Sequence, residues 1–367
     1  MGENAERNEA PTSLGEWFDT RPNALNAIRL ALAVTVIVWH AHLLPNRSEL
    51  PHAVGQLLEQ FPVDAFFAIS GFLITRSWFR NPNPSKYVKA RFTRLFPGLW
   101  VCLAVTAFVV VPLAVEIGGR SVPSLRSQLE YVLGNATTFD WVDHRSIEDT
   151  TVGMFRSPWN VSLWSLRWEI LAYAAVVVLG MLRLLRPRVV VALTATCWAL
   201  AVSLVLLRIP DDFVFGVFAL PRLLMMFFIG SLFWMWGRHI PLRRSLVLGS
   251  FALIVTASFT PDYRLLAAPA VAYLCLSLGL YLGRFPRLIL RNDLSYGMYI
   301  YGAPVQQALL IIGFTGTWLT FTLTTLALVV PLAAMSWFLV ESPAMGLLRH
   351  QNVRSRAIRG AVREHAG

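Results

Sequence analysis

The sequence predicts an all-α integral membrane protein with about ten transmembrane helices and both termini in the cytoplasm. Hydrophobic residues make up 56% of the 367 residues and charged residues only 14%, whereas soluble domains carry about 25% charged residues. The apolar residues come in runs of roughly 17–25, the length at which an α-helix crosses a bilayer. Basic residues gather in alternate segments between these runs, as the positive-inside rule requires.

Ten apolar runs are interpreted as spans: 25–44, 61–78, 95–117, 163–182, 189–207, 215–236, 246–260, 265–282, 295–314 and 318–340. The predicted transmembrane domain covers residues 23–345, between a cytoplasmic tail of residues 1–22 and a basic cytoplasmic tail of residues 346–367. A polar external segment of residues 118–162 joins the third and fourth spans and is expected to pack over the helices. Loops of this length often carry function.

The distribution of basic residues supports this topology. With Arg76 at the inner end of the second span counted in, the segments predicted to be cytoplasmic hold 22 of the 32 Lys and Arg residues, and the external segments hold seven. Such an excess fits an even number of spans with both ends inside. The net charge of +11 therefore reflects topology, and no nucleic-acid partner is expected. Cys102, Cys197 and Cys275 lie inside apolar runs without a CxxC pair, so neither a disulfide framework nor a metal site is indicated.

The first span carries two ionisable residues, Arg29 and His40. Because they are eleven residues apart, a helix places both on one face, roughly 16 Å apart along its axis. Ionisable side chains inside spans usually face the bundle interior or a cavity. Alternatively, Arg29 reaches the inner membrane surface and His40 the outer one, but the shared face favours a functional pair.

The second and fourth spans contain further polar candidates. Asp64 lies at the outer end of the second span, with Ser70 and Gly71 in its middle, where small residues also permit close helix packing. Glu169, near the outer end of the fourth span, is either a structural carboxylate or one that orients a histidine or binds a polar acceptor. Arg222 in the sixth span is either its charge partner or an outer-leaflet anchor.

A basic stretch follows the second span. Pro82 and Pro84 are expected to end the helix, and a short amphipathic stretch then carries Arg91 and Arg94 on a shared face. An arginine pair on the cytoplasmic side suits the binding of phosphate groups. The alternative is that these arginines serve only the positive-inside topology.

Together these residues resemble the acyltransferase-3 family of integral membrane O-acyltransferases, from about residue 23 to residue 348. Each motif alone is weak, but six in order on a ten-span frame are specific. The matching motifs are the Arg29 and His40 pair, DAFFAISG at 64–71, the Arg91 and Arg94 pair, SLRWE at 165–169, LSYGMYIYGAPVQQ at 294–307 and VESP at 340–343.

The resemblance implies transfer of an acyl group, usually acetyl from acetyl-CoA, to a hydroxyl. Acceptors in the family are commonly sugars of surface polysaccharides, lipopolysaccharide, peptidoglycan or lipo-oligosaccharide signals, and some relatives acylate macrolides. It also implies that the pairs matching Arg29 and His40, and Arg91 and Arg94, are essential. One departure is Gly302, which stands where many members of the family have a histidine. Members with a small residue at this position also occur.

The expected chemistry needs a base, a bound thioester and stabilisation of an oxyanion. We expect His40 to take the proton of the acceptor hydroxyl, since the pKa of histidine suits proton transfer near neutrality, or else to carry the acyl group covalently. Glu169 or Asp64 would orient or charge-balance this histidine. Arg29 would position the pantetheine or polarise the thioester carbonyl.

The donor, an acyl-CoA, is expected to act as a co-substrate and not as a permanently bound cofactor. Arg91 and Arg94 would hold its phosphates on the cytoplasmic side, and Ser70 and Gly71 are grouped with this donor site. The other expected partners are a carbohydrate or glycosylated acceptor and membrane lipid, with the chain in a bacterial cytoplasmic (inner) membrane. The alternative functions are a secondary transporter of a sugar or lipid intermediate, which would not consume a thioester, and a scaffold.

Overall fold

The computed structural model describes residues 12–46, 50–139, 146–151, 158–208 and 219–347. Within these residues the chain is helical, and the one extended pairing is an isolated bridge between Ser13 and Pro241. The all-α prediction is confirmed. In chain order the described helices are α1 Leu14–Thr20, α2 Leu25–Asn46, α3 His52–Arg80, α4 Pro84–Ile117, α5 Leu125–Asn135, α6 Leu163–Met181, α7 Pro187–Leu206, α8 Ala219–Met235, α9 Arg244–Ala257, α10 Arg264–Leu282, α11 Ser295–Ile311 and α12 Trp318–Leu347.

Each predicted span falls on one of the helices α2 to α12 other than α5, except that residues 215–218 of the sixth span lie outside the described residues. Seven of the described helices, namely α2, α3, α4, α6, α7, α10 and α12, are long and apolar enough to cross a membrane. The apolar helices α8 and α9 are shorter, and α11 has 17 residues. These helices support a multi-pass membrane protein, while the count of ten crossings and the cytoplasmic location of both termini stay predictions.

The helix that contains the third predicted span begins before that span, at Pro84. Helix α3 ends at Arg80 and α4 begins at Pro84, as the prolines predicted. Asn83 caps α4 by accepting a hydrogen bond from the Lys86 N–H at 3.0 Å, and a proline is tolerated in the first turn because its nitrogen needs no partner there. The amphipathic stretch therefore continues into the predicted third span as one helix, and the start of the membrane crossing at residue 95 stays a prediction.

Three of the long helices contain a π turn, at Gln56–Gln60 in α3, Thr106–Val110 in α4 and Trp337–Glu341 in α12. A π turn inserts one extra residue into a helix and is frequent at functional sites. The turn in α12 ends at Glu341, which is fully buried. A carboxylate at this depth needs a cationic partner.

The chain forms two compact units. The first consists of Met1–Thr35, Glu49–Arg80 and Trp168–Arg291, and the second of Val36–Ser48, Asn81–Arg167 and Asn292–Gly367. Helices α2 and α6 each contribute one part to the first unit and one part to the second. The two ionisable residues of α2 thereby belong to different units.

In the first unit, α3 and α8 pack through two glycines. A Cβ atom on Gly71 would lie 1.9 Å from the carbonyl oxygen of Phe227, and one on Gly230 would lie 1.9 Å from that of Ala68. The two helix backbones therefore touch at a distance that no larger residue permits. This contact fixes the turn of α3 that carries the predicted polar residues.

The first unit also contains a helix that the sequence analysis missed. Part of the predicted N-terminal tail forms α1, which begins with a capping box between Ser13 and Glu16. Phe18 on α1 is buried, and Asp19 lies 3.3 Å from the guanidinium of Arg76 at the end of α3. Seven residues of apolar and acidic character were too few to stand out from a polar tail.

In the second unit, the described part of the predicted external segment packs beside α4. The Trp100 indole, in the middle of α4, donates to the Ala136 carbonyl at 2.9 Å just after α5 ends. Farther along, the Asn160 amide donates to the Ile300 carbonyl of α11 at 2.8 Å. The segment thus reaches along the helices instead of only covering their ends, since its polar groups find partners on them.

Candidate functional site

Helix α2 carries Arg29 and His40 without a break. An unbroken helix is what the predicted shared face requires, with a spacing of about 16 Å along an ideal helix axis. Both residues are half-buried. Arg29 belongs to the first unit and His40 to the second.

Arg29 is placed against an aromatic ring of α3. Its Cζ atom lies 5.9 Å from the centre of the Phe66 ring, at the outer limit of a cation–π contact. The ring face therefore supports the Arg29 cation on one side.

Glu169 on α6 is held by two hydroxyl groups of the first unit. Ser70 Oγ donates to Glu169 Oε1 at 3.5 Å, and the Tyr173 hydroxyl donates to the same oxygen. Both donors are buried, and the glutamate is half-buried. The structure therefore brings together two residues that the sequence had singled out separately, Ser70 and Glu169.

The positions of Phe66 and Ser70 on α3 connect these two contacts. They are four residues apart, so they lie on one face of the helix about 6 Å apart along its axis. One turn of α3 therefore separates the ring beneath Arg29 from the hydroxyl that binds Glu169. Gly71, next to Ser70, faces α8 and serves packing.

Asp64 lies in a buried network of charges in the first unit. Its Oδ2 accepts a hydrogen bond from the Tyr263 hydroxyl at 2.6 Å, and its Oδ1 lies 3.6 Å from Arg264 Nη1. Asp262 Oδ1 accepts a hydrogen bond from Arg264 Nε at 2.8 Å, and its Oδ2 forms an ion pair with Arg222 Nε at 3.1 Å. Two arginines and two aspartates balance in charge, which buried ions require.

Two residues of this network were singled out in the sequence, Arg222 and Asp64. Arg222 has Asp262 as a carboxylate partner, whereas the sequence suggested Glu169. Asp64 has partners that account for its burial, and its role in orienting a histidine stays a prediction.

Two groups of this network outside the spans have shifted pKa values. Burial alone would raise the pKa of Asp262, but the charges of Arg264 and Arg222 and the hydrogen bonds from Arg264 outweigh it and hold the pKa below its ordinary value of 3.8. Burial and the neighbouring Asp64 carboxylate raise the pKa of Tyr263 well above 10.0. Tyr263 therefore remains a protonated donor at any physiological pH.

Arg94 lies in the second unit between two carboxylates. Its Nη1 is 2.5 Å from Glu341 Oε2 and its Nη2 is 2.6 Å from Asp293 Oδ2. The Arg94 side chain is 13% exposed, and its Cζ lies 5.3 Å and 5.5 Å from the ring centres of Tyr296 and Trp337. The sequence analysis quoted Glu341 within a motif but missed Asp293, which is a single acidic residue in a polar loop.

Arg91 lies one turn before Arg94 on α4 and is half-buried. The structure thus places the two arginines of this pair in the same helix, as predicted. It also shows that Arg94 forms ion pairs with two buried carboxylates, which the sequence pattern did not predict.

Helix α11 approaches α2 within the second unit. The Gln306 amide donates to the Ile37 carbonyl at 2.9 Å, and a Cβ on Gly302 would lie 3.0 Å from Ile37 Cγ1. Ile37 precedes His40 by three residues on α2. The small residue at position 302 therefore lets α11 pack against the helical turn that carries the histidine.

Comparisons with known proteins relate the chain to acyltransferases. A family model described as an acyltransferase domain matches residues 23–340. Nodulation protein 10 of Rhizobium leguminosarum bv. viciae is 30% identical over 352 residues, which cover 89% of this chain and 94% of that protein. An O-acetyl transferase of Shigella phage Sf6 is 27% identical over 340 residues, covering 88% of this chain and 95% of that protein. No solved structure matches the chain.

Proposed function

The chain belongs to the acyltransferase-3 family, and from that premise we propose that it moves an acetyl group from acetyl-CoA to a hydroxyl of a sugar. The sugar would belong to a surface polysaccharide, a lipid-linked glycan or a glycosylated metabolite. The family and the similarity to an O-acetyl transferase support a membrane O-acyltransferase with an acyl donor and an acceptor. The acetyl donor, the sugar acceptor and a bacterial cytoplasmic membrane belong to the proposal.

One observation carries the proposal: Arg29 and His40 share a face of one apolar helix. A cation and a titratable imidazole inside a span are costly in hydrocarbon unless they serve a polar site. Their separation of about 16 Å along the helix suits a donor that arrives from one side and an acceptor that approaches from the other.

The proposed reaction is direct transfer from a thioester to an alcohol. His40 takes the proton of the acceptor hydroxyl while the hydroxyl oxygen attacks the thioester carbonyl carbon. A carbon–oxygen bond forms, the carbon–sulfur bond breaks, and the departing thiolate of coenzyme A receives the proton. In the covalent variant the His40 imidazole attacks the thioester carbon and coenzyme A leaves as the thiol with the imidazole proton; the hydroxyl then attacks the acyl-imidazole and its proton returns to His40.

Arg29 and Arg91 have separate parts in this proposal. Arg29, supported by the Phe66 ring at 5.9 Å, positions the pantetheine arm of the donor, since about 16 Å along the helix separates it from His40. Arg91 contacts the phosphate groups of the donor near the start of α4. Glu169, held by Ser70 and Tyr173, is the carboxylate of the site.

Donor use is tested with purified protein in lipid nanodiscs and acetyl-CoA labelled in the acetyl group. We expect saturable binding of acetyl-CoA and transfer of the labelled acetyl group to an acceptor fraction from the host cell surface. The acceptor itself is found by mass spectrometry of surface glycans and secreted metabolites with and without the gene, as one product that loses an acetyl-sized mass. A secondary transporter would neither bind acetyl-CoA nor consume its thioester, and that result would overturn the proposal.

A further inference from the structure

The charge of Arg94 is already compensated by two carboxylates in this arrangement. Each of two guanidinium nitrogens binds one carboxylate oxygen, at 2.5 Å to Glu341 and 2.6 Å to Asp293. Both carboxylates are buried. The three formal charges sum to minus one, so the cluster repels an anion. A phosphate that captured Arg94 would leave two buried carboxylates without a counter-charge, which is strongly unfavourable.

The two carboxylates are themselves fixed by serine hydroxyls. Ser336 Oγ donates to Glu341 Oε1 at 2.9 Å, and Ser295 Oγ donates to Asp293 Oδ1 at 2.5 Å. Each carboxylate thus offers one oxygen to a serine and the other to Arg94. A fully satisfied buried network of this kind holds its helices in a single arrangement.

The cluster joins three helices of the second unit. Arg94 is on α4, Asp293 immediately precedes α11, and Glu341 ends the π turn of α12. Gly98, one turn after Arg94, admits this contact, because a Cβ there would lie 3.0 Å from the Tyr296 ring and 3.2 Å from Glu341 Cγ. The Tyr296 hydroxyl also donates to the Leu95 carbonyl at 2.7 Å. The beginning of α11 is therefore tied to α4 at several points.

The other half of α11 contacts the turn of α2 that carries His40. Gln306 donates to the Ile37 carbonyl at 2.9 Å, eleven residues after the start of α11 at Ser295. Because α11 is one helix, a shift of its beginning moves the Gln306 and Gly302 contacts with Ile37 as well. The position of His40 thus depends on where α11 is anchored.

We propose that Arg94 is a positioning residue, which anchors α11 through Asp293 and Glu341 so that α11 holds the His40 turn of α2 in place, and that it is not a ligand of the donor phosphates. The inference rests on the proposed function for its kinetic readout. Its structural readout needs neither donor nor acceptor.

The kinetic test separates affinity for acetyl-CoA from turnover in the purified full-length protein. Arg91→Ala, the control for a phosphate contact, should raise the Kd for acetyl-CoA about tenfold or more. Glu341→Gln, Asp293→Asn and Arg94→Gln should leave this Kd within about twofold while kcat falls about tenfold. If Arg94 were a phosphate ligand, Arg94→Gln would raise the Kd as Arg91→Ala does, and Glu341→Gln would free Arg94 and keep or improve binding.

The structural test is cross-linking between cysteines placed at Ile37 and Gly302, in a background in which the three native cysteines are replaced by alanine. Oxidative or short bis-maleimide cross-linking should be efficient in this background and should fall several-fold when Glu341→Gln or Asp293→Asn is added. If the Arg94 variant does not fold, these two isosteric variants carry both tests.

The outcomes are distinguishable. Unchanged cross-linking together with wild-type kcat in Glu341→Gln, or a Kd in Arg94→Gln that matches the Arg91 variant, overturns the positioning role. A wild-type protein that fails to bind acetyl-CoA overturns the proposed function, while the cross-linking result still decides whether Arg94 anchors α11.

Discussion

Arg29 and Glu169, which come from different helices, are held one turn apart on the same face of α3. Phe66 supports Arg29 at 5.9 Å, and Ser70 donates to Glu169 at 3.5 Å. Helix α3 therefore contacts both the cation and the carboxylate, through two side chains that are one helical turn apart.

The ring of Phe66 should matter for catalysis more than for folding. Phe66→Leu removes the ring face beneath Arg29 while keeping an apolar side chain. We therefore expect kcat/KM to fall, by an amount that corresponds to a loss of about 0.5–2 kcal/mol of transition-state stabilisation, the usual range of a cation–π contact. Acetyl transfer by purified protein measures the effect. Phe66→Trp is the control and should retain activity, and equal activity of the Leu variant and the wild type would refute the role of the ring.

The adjacent residues Ser70 and Gly71 should give opposite phenotypes. Ser70→Ala removes a hydrogen-bond donor to Glu169. Acetyl transfer should slow by an amount that corresponds to about 0.5–1.5 kcal/mol of transition-state stabilisation, while the unfolding temperature should change little. Gly71→Ala places a Cβ 1.9 Å from the Phe227 carbonyl oxygen, so the unfolding free energy should fall by about 1–3 kcal/mol or more. Thermal unfolding and transfer measured on both variants check this, and the same phenotype for both would contradict the division of roles.

Asp64 should be essential for stability because of the buried arginine beside it. Asp64→Asn neutralises one of the two carboxylates around Arg264, and removing one partner of a buried ion pair costs about 3–5 kcal/mol. Tyr263→Phe is the matched control, since it removes only the hydrogen bond to Asp64 and should cost about 0.5–1.5 kcal/mol. Chemical unfolding in detergent compares them; a smaller loss for Asp64→Asn than for Tyr263→Phe would show that the network does not need this charge.

The Asp262 carboxylate should shape the stability of the protein in acid. Its pKa in the folded state lies below the ordinary value of 3.8, so its contribution is present above that value and is lost as the pH falls through the lowered folded pKa. The unfolding temperature should therefore hold down to about pH 5 and fall below about pH 4. Asp262→Asn should lower the stability at neutral pH and make the acid decline shallower, whereas an unchanged decline would exclude Asp262 as its source.

The sequence predicted the helices well, because a lipid environment demands long apolar runs with basic flanks. Helix α7, predicted at 189–207, is found at Pro187–Leu206. Helix α1 was missed, since it is short and lacks such a run.

The candidate site was predictable only as a set of residue types. Arg29, His40 and Glu169 stood out because charges inside spans are rare. The partners of Arg94 could not be found this way, because Asp293 and Glu341 lie 199 and 247 residues away along the chain. Glu341 is moreover turned inward by a π turn, which periodicity based on 3.6 residues does not anticipate.

The central claim is that His40 transfers the proton or the acyl group of the reaction, and one comparison tests it most directly. Purified wild type, His40→Ala and Arg29→Ala are assayed for transfer of labelled acetyl from acetyl-CoA under single-turnover conditions, with unfolding temperature and membrane yield measured alongside. We expect both variants to insert and accumulate as the wild type does and to lose transfer by about a hundredfold or more, the range of general acid–base catalysis. Near-normal transfer by folded His40→Ala would contradict the mechanism.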